Sequence, residues 1–196
     1  MMELVFFLEE PSAKEMLKGL LPRLIKNEIV YRFIVFEGKS DLEKILKIGG
    51  KIMPKLVVVY LSTSGNTKAM ADSIVEGAVS RNVEAAAMNF HEAKIEELKS
   101  ADAIALGSST FYYKMLPPME KFIDSLSKAN AKGKVGAAFG SYGWSGEAPG
   151  MIAEKMREIG MKVIDPVLRV QYQPTEKDLE ECKRLGKDLA NKIKKA

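Results

Sequence analysis

The sequence of 196 residues predicts an α/β fold with a doubly wound parallel sheet, and two observations support this prediction. Short apolar runs without alternation recur along residues 53–196, as is typical of parallel strands buried on both faces. Segments with apolar residues three and four positions apart lie between these runs, as is typical of helices that cover such a sheet. Five strand-helix units in succession favour right-handed crossovers and one five-stranded sheet.

The individual elements follow from local signals. The first strand of this sheet is predicted at residues 56–61, where every residue is apolar, and further strands are predicted at 83–89, 101–107, 134–139 and 162–168. Helices are predicted from about residue 67 to 78, at 93–98, from Pro117 to about 126, at 148–159, and after Pro174 with an apolar face over 179–193.

Residues 1–52 predict a small β-α-β-α appendage. Strands are expected at 4–8 and 28–36, and capping boxes that begin at Ser12 and Ser40 each precede an apolar helical face. The stretch of residues 48–54 contains two glycines and a proline and interrupts the pattern. We therefore predict two parts, residues 1–52 and 53–196.

Composition restricts the class of protein. No run of 18 apolar residues occurs, so a membrane-spanning helix is not expected, and Cys182 is the single cysteine, which excludes a disulfide framework. A cytoplasmic location is the expectation. The net charge is +4, and the basic residues alternate with acidic ones, so a nucleic-acid partner is not expected.

The loop after the first strand of the sheet is rich in hydroxyl groups and opens a helix. Main-chain N–H groups and the positive end of the helix dipole converge there, which favours a phosphate. The spacing fits neither a Walker loop nor a dinucleotide loop, and a single cradle of this kind suits a terminal monophosphate. The candidate residues are Ser62, Thr63, Ser64, Gly65, Asn66 and Thr67.

Two further loops are expected beside this one, because the carboxyl ends of parallel strands lie at one edge of a sheet. They carry aromatic residues that should face solvent, which indicates a flat ligand or a partner. The candidate residues are Ser109, Thr110, Phe111, Tyr112 and Tyr113 after the third strand, and Ser141, Tyr142, Gly143, Trp144 and Gly146 after the fourth.

These three loops, S-T-S-G-N-T, G-S-S-T-F and F-G-S-Y-G-W-S-G-E-A, resemble the flavodoxin fold, and specifically the flavodoxin domain of flavo-diiron proteins, over about residues 53–196. The resemblance implies the strand order 2-1-3-4-5 and an FMN cofactor. It places the FMN phosphate on residues 62–67 and the ring between the other two loops, with no catalytic side chain and no metal ligand. Two departures are Ser64 for the usual threonine and Ser109-Thr110-Phe111 for the usual Pro-Thr-Tyr.

The first 48 residues resemble a truncated toprim-like segment. In that family a glutamate after the first strand and a later pair of aspartates bind Mg²⁺. Glu9 takes the first position, but Glu10 stands where the family has glycine, and the chain has no Asp-x-Asp pair. Metal-dependent phosphoryl chemistry is therefore not expected, and a structural or interaction role is.

Three functions remain open from the sequence. The first is an FMN-binding electron carrier or flavin oxidoreductase that lacks a diiron domain, with a redox protein or a small-molecule acceptor as its partner. The second is an NAD(P)H-dependent flavin or quinone reductase on the same fold. The third is a non-redox assembly module in which the N-terminal segment mediates homo-oligomer formation.

Overall fold

The computed structural model describes residues 3–8, 30–35 and 53–195. Contacts divide the chain into two compact units, Met1–Ile52 and Met53–Ala196. In the first unit, β1 (Glu3–Leu8) and β2 (Val30–Val35) pair in parallel. The helices predicted after Ser12 and Ser40, and the candidate Glu9, lie outside the described residues.

The second unit alternates strands and helices. Its elements are β3 (Lys55–Leu61), α1 (Asn66–Val79), β4 (Glu84–Asn89), α2 (Ile95–Ser100), β5 (Ala103–Ser108), β6 (Thr110–Phe111), β7 (Lys114–Met115), α3 (Pro117–Ser125), a 3₁₀ turn (Leu126–Ala129), β8 (Val135–Tyr142), α4 (Glu147–Glu158), β9 (Lys162–Val163), β10 (Leu168–Gln171) and α5 (Glu176–Lys195). Within the described residues, no helix is both long and apolar enough to cross a bilayer.

The main sheet is parallel and has the order β10-β8-β5-β3-β4. Counted along the unit, this is the predicted order 2-1-3-4-5, so the predicted fold class is confirmed. The strand β3 lies between β4 and β5, and all of its residues after Lys55 are buried. Its position explains why an unbroken apolar sequence is tolerated there.

The fifth strand differs from its predicted span of residues 162–168. It consists of two short strands, β9 and β10, which pair with the beginning and the end of β8 respectively. Pro166 lies between them and has no N–H group to donate to a sheet ladder. The apolar pattern therefore located the strand correctly but placed its end too early.

Successive residues of β3 face opposite layers of helices. Leu56 and Val58 belong to a core cluster that includes residues of α1 and α5, whereas Val57 and Val59 belong to a second cluster with residues of α2, α3 and α4. The helices α1 and α5 pack especially closely, since a Cβ atom at Gly186 would lie 2.0 Å from a main-chain oxygen of α1. This two-layer packing brings the carboxyl ends of β3, β5 and β8 to one edge of the sheet.

Candidate functional site

A network of buried hydroxyl groups connects the start of α1 with the carboxyl ends of β5 and β8. The Oγ1 atom of Thr67 lies 3.1 Å from Ser109 Oγ and 2.9 Å from Ser141 Oγ. Thr67 is 0% exposed, and both serines are buried. Ser141 and Tyr142 were predicted to follow the fourth strand, but β8 extends to Tyr142 and contains both of them. A single side chain at the start of α1 therefore joins the residue after β5 to the end of β8.

The loop after β3 turns at Gly65, which has φ 87° and ψ −16° and is the N-cap residue of α1. A positive φ of this size is one that glycine adopts without steric cost. The first turn of α1 contains no acidic residue, so the positive end of its dipole is not neutralised locally. Thr63 and Ser64 are exposed, while the Oγ atom of Ser62 is buried and has no hydrogen-bond partner.

The loop after β5 forms a hairpin that the sequence did not predict. The strands β6 and β7 pair in an antiparallel manner, and Tyr112 and Tyr113 form the two-residue turn between them. Their φ angles are 47° and 63°, so both residues are left-handed, as in a type I′ turn. The usual residues of such turns are Asn and Gly, and a Tyr-Tyr pair gives no turn signal in a sequence.

The loop after β8 faces this hairpin across a cleft. The cleft has a volume of about 210 Å³ and is lined by Thr110, Tyr112, Tyr113, Trp144 and Ser145. Tyr112 is 86% exposed and Trp144 is 85% exposed. Large aromatic side chains on both walls of an open cleft provide a surface on which a flat ring can stack.

The structure also shows what three of the remaining candidates contact. Phe111 lies outside the lining of the cleft, and its ring meets the Tyr112 ring edge to face at 5.1 Å. Gly146 is the N-cap residue of α4, and a Cβ atom there would lie 3.1 Å from the Tyr142 ring. The Oγ1 atom of Thr110 accepts a hydrogen bond of 3.2 Å from the N–H of Ala148, which anchors the hairpin to the start of α4.

Three residues at the same edge were missed by the sequence analysis. Tyr172 follows β10, is 61% exposed and has φ 60°. Gln171 donates a side-chain hydrogen bond of 3.2 Å to Gly143 O. Glu147, the first residue of α4, has a buried Oε2 atom with no hydrogen-bond partner. Of these three residues, only Tyr172 could have been identified from the sequence, because it is a further aromatic residue that follows a strand.

The groups that line the site are donors and aromatic rings. No group of three His, Cys, Asp or Glu side chains within the described residues is placed to hold a metal ion. Its donors are hydroxyl and main-chain N–H groups, which suit an anion, and its walls are aromatic, which suits a planar ring. The hydroxyl-rich loop and the aromatic cleft are connected by the hydrogen bonds of Thr67 with Ser109 and Ser141.

Comparison with known proteins agrees with this geometry. Residues 58–186 match the model of the family described as Flavodoxin. The chain is 33% identical over 143 residues to the type A flavoprotein fprA of Rhodobacter capsulatus, covering 70% of this chain but only 33% of that protein. The chain thus spans about a third of the length of this relative.

Two solved structures are also similar. A flavodoxin from the domain Archaea shares 66% identity and a TM-score of 0.71, covering 71% of this chain and 99% of that one. The flavodiiron core of Flv1 from Synechocystis shares 25% identity and a TM-score of 0.68, covering 93% of this chain and 48% of that one. The predicted homology to the flavodoxin domains of flavo-diiron proteins is confirmed. The chain belongs to the flavodoxin family.

Proposed function

We propose that residues 53–196 bind FMN and act as an electron-transfer protein. FMN is the cofactor of the flavodoxin family. The observation that carries the proposal is that a helix N-terminus lined by hydroxyl groups lies next to an aromatic cleft. Thr67, at this N-terminus, is hydrogen-bonded to Ser109 and Ser141 at the carboxyl ends of the two strands whose loops form the cleft. One part matches a phosphomonoester and the other matches a tricyclic ring, and FMN contains both groups.

The phosphate would be held by the loop after β3. Ser62, Thr63, Ser64 and Asn66 would contribute side-chain donors, and Gly65 and Thr67 would contribute main-chain N–H groups at the start of α1. The buried and unpartnered Ser62 Oγ is the most specific sign, because a buried hydroxyl without a partner is costly unless a ligand supplies one. Thr67 has a second role, since its hydroxyl group already joins Ser109 and Ser141.

The ring would lie between the two aromatic walls. Tyr112 and Tyr113 would line one side and Trp144 the other, with Ser109 and Ser141 beneath the cleft and Phe111 supporting Tyr112. FMN itself would supply the electron-transfer chemistry, and the protein would supply orientation and electrostatics. Electron-rich aromatic faces disfavour added negative charge on a stacked ring, so these walls would lower its reduction potential.

Finer features of the function are part of the same proposal. We infer that the electron partner is a redox protein or a small-molecule acceptor, and that the location is cytoplasmic, as expected from the sequence. The first unit, with its toprim-like sequence, would have a structural or assembly role. Removal of residues 1–52 should then change the oligomeric state in sedimentation and leave FMN affinity unaltered.

The phosphate assignment is tested by comparing FMN with riboflavin, which lacks the phosphate. Fluorescence titration of the purified protein should show FMN binding, and the Ser62→Ala variant should bind FMN about three- to tenfold more weakly with unchanged riboflavin affinity. Ser62→Ala should not lower the stability of the ligand-free protein, because its hydroxyl group has no partner to lose. The control is Ser100→Ala, at the last residue of α2 and outside the candidate site, which should leave the affinity for both flavins unchanged.

Two results would contradict the proposal. A wild-type protein that binds neither FMN nor riboflavin would exclude a flavin site altogether. Equal loss of FMN and riboflavin affinity in Ser62→Ala would show that this loop does not contact the phosphate.

A further inference from the structure

The turn at Tyr142–Gly143 is held from the side of β10. The N–H of Tyr172 donates a hydrogen bond of 2.7 Å to Tyr142 O, and the side chain of Gln171 donates one of 3.2 Å to Gly143 O. The Tyr172 ring also lies beside Gly143, since a Cβ atom at Gly143 would lie 3.6 Å from it. Both carbonyl groups of the turn are therefore engaged by two consecutive residues, the last residue of β10 and the residue after it.

The planarity of the peptide bond gives these hydrogen bonds a consequence for the cleft. In a trans peptide unit the C=O and the N–H point in opposite directions. When the carbonyl groups of Tyr142 and Gly143 point to Tyr172 and Gln171, the N–H groups of Gly143 and Trp144 point away from those residues. In the sheet, β10 lies on one side of β8 and β5 lies on the other, so we expect the Gly143 N–H to point to the side of β5 and its hairpin.

These two N–H groups are available to a ligand. Neither the Gly143 nor the Trp144 N–H donates a hydrogen bond to the protein within the described residues. Trp144 and Ser145 line the cleft, so the donors are at its wall. Adjacent main-chain N–H groups that point the same way form a site for negative charge.

We propose that Gln171 is a positioning residue for the cofactor, because its side chain holds the Gly143 carbonyl and so fixes the direction of one of these donors, the Trp144 N–H. This inference rests on the proposed FMN site and adds a fourth segment to it, the end of β10. Gln171 contacts no cofactor itself. It acts through Gly143, together with the N–H of Tyr172. The N–H donors stabilise negative charge at the edge of the flavin ring, and the reduced flavin carries more of that charge than the oxidised flavin. Gln171 therefore raises the reduction potential.

The test compares Gln171→Ala with Gln173→Ala. Gln173 has the same residue type two positions further on, is exposed, and makes no hydrogen bond within the described part of the chain. In Gln171→Ala we expect FMN and riboflavin affinity to fall by the same factor of about three to ten, because the donors contact the ring and not the phosphate. Gln171→Met, which keeps the length and adds no charge but has no N–H donor, should behave like Gln171→Ala.

Two readouts separate positioning from a general loss of structure. The reduction potential, measured by spectroelectrochemistry, should become more negative in Gln171→Ala and stay unchanged in Gln173→Ala. In the ligand-free protein, the NMR order parameter of the Trp144 amide should fall from about 0.85 toward 0.6 in Gln171→Ala. The Gly143 amide, whose peptide unit is held by the Tyr172 N–H, and all strand amides should stay unchanged. This second readout requires no cofactor.

The outcomes distinguish the two proposals. If the wild-type protein binds FMN but Gln171→Ala matches Gln173→Ala in affinity and potential, the positioning role is refuted and the FMN site stands. Tyr172→Asn removes the Tyr172 ring but keeps the main-chain N–H, and asparagine tolerates a left-handed backbone. If this variant binds FMN more weakly while Gln171→Ala does not, the Tyr172 ring and not the Gln171 side chain supports the site, and the positioning role of Gln171 is refuted. If the wild-type protein binds no flavin, both proposals fail together.

Discussion

Thr67 is the residue whose loss should do most harm to the site, and Thr67→Val tests this directly. The substitution replaces a hydroxyl with a methyl of similar size, so little cavity is created. It removes the hydrogen-bond partner of both Ser109 and Ser141. Within the described residues, neither serine hydroxyl has another partner, and all three side chains are buried.

The expected magnitude follows from the two hydroxyl groups left unpaired. A buried polar group without a partner costs about 1–3 kcal/mol, so two such groups lower the free energy of unfolding by about 2–6 kcal/mol. The total stability of a domain is about 5–15 kcal/mol. Thr67→Val should therefore remove a large share of the stability of the ligand-free protein.

Urea unfolding followed by circular dichroism measures this loss, provided that the m-value does not change. Thr63→Val is the matched control, because Thr63 is exposed in the same loop and its replacement should change stability by less than about 0.5 kcal/mol. The triple variant Thr67→Val, Ser109→Ala, Ser141→Ala should recover much of the loss, since replacing all partners together leaves no unpaired group.

A Thr67→Val variant as stable as Thr63→Val would show that the Thr67 hydroxyl does not stabilise the domain. A triple variant less stable than Thr67→Val alone would show that the loss comes from packing rather than from unpaired hydroxyl groups.

Three further predictions concern the scaffold. Gly186→Ala should destabilise the domain by about 3 kcal/mol or more in urea unfolding, because its Cβ would lie 2.0 Å from a main-chain oxygen, whereas Gly143→Ala, with 3.6 Å of room, should be close to neutral. The Thr175 hydroxyl and N–H groups hold the pKa of Asp178 below its usual value of 3.8. Thr175→Ala should therefore cost about 1 kcal/mol in unfolding experiments at neutral pH, and less as the pH falls through the folded-state pKa. Burial raises the pKa of Cys182 from 9.0 to about 12, so a thiol reagent should react only after unfolding, and stability should decline between pH 9.0 and about 12.

The sequence allowed the fold to be predicted because each strand has its own local signal. The order of the sheet followed from the resemblance, and the loops that meet at its edge followed from that order. The end of the fifth strand was misplaced because Pro166 divides it, and an apolar pattern does not show which residues retain a ladder partner.

Contacts within the site were harder to predict than its location. Thr67 is separated by 42 residues from Ser109 and by 74 from Ser141, so their hydrogen bonds depend on exact strand register. The tether from Gln171 to Gly143 depends in the same way on the pairing of β10 with β8. Such contacts carry no local pattern, since any serine or glutamine in these loops would look the same in a sequence.

The tyrosine turn between β6 and β7 limits how far this domain can be made heat-resistant. Two bulky residues in left-handed conformations raise the energy of the folded state by roughly 1–2 kcal/mol each. An Asn-Gly pair at Tyr112 and Tyr113 would relieve that energy and raise the melting temperature. A laboratory selection for thermal stability alone would therefore favour replacement of both tyrosines, which would remove one wall of the cleft. Retention of the tyrosines would require that the same selection also screen for flavin binding.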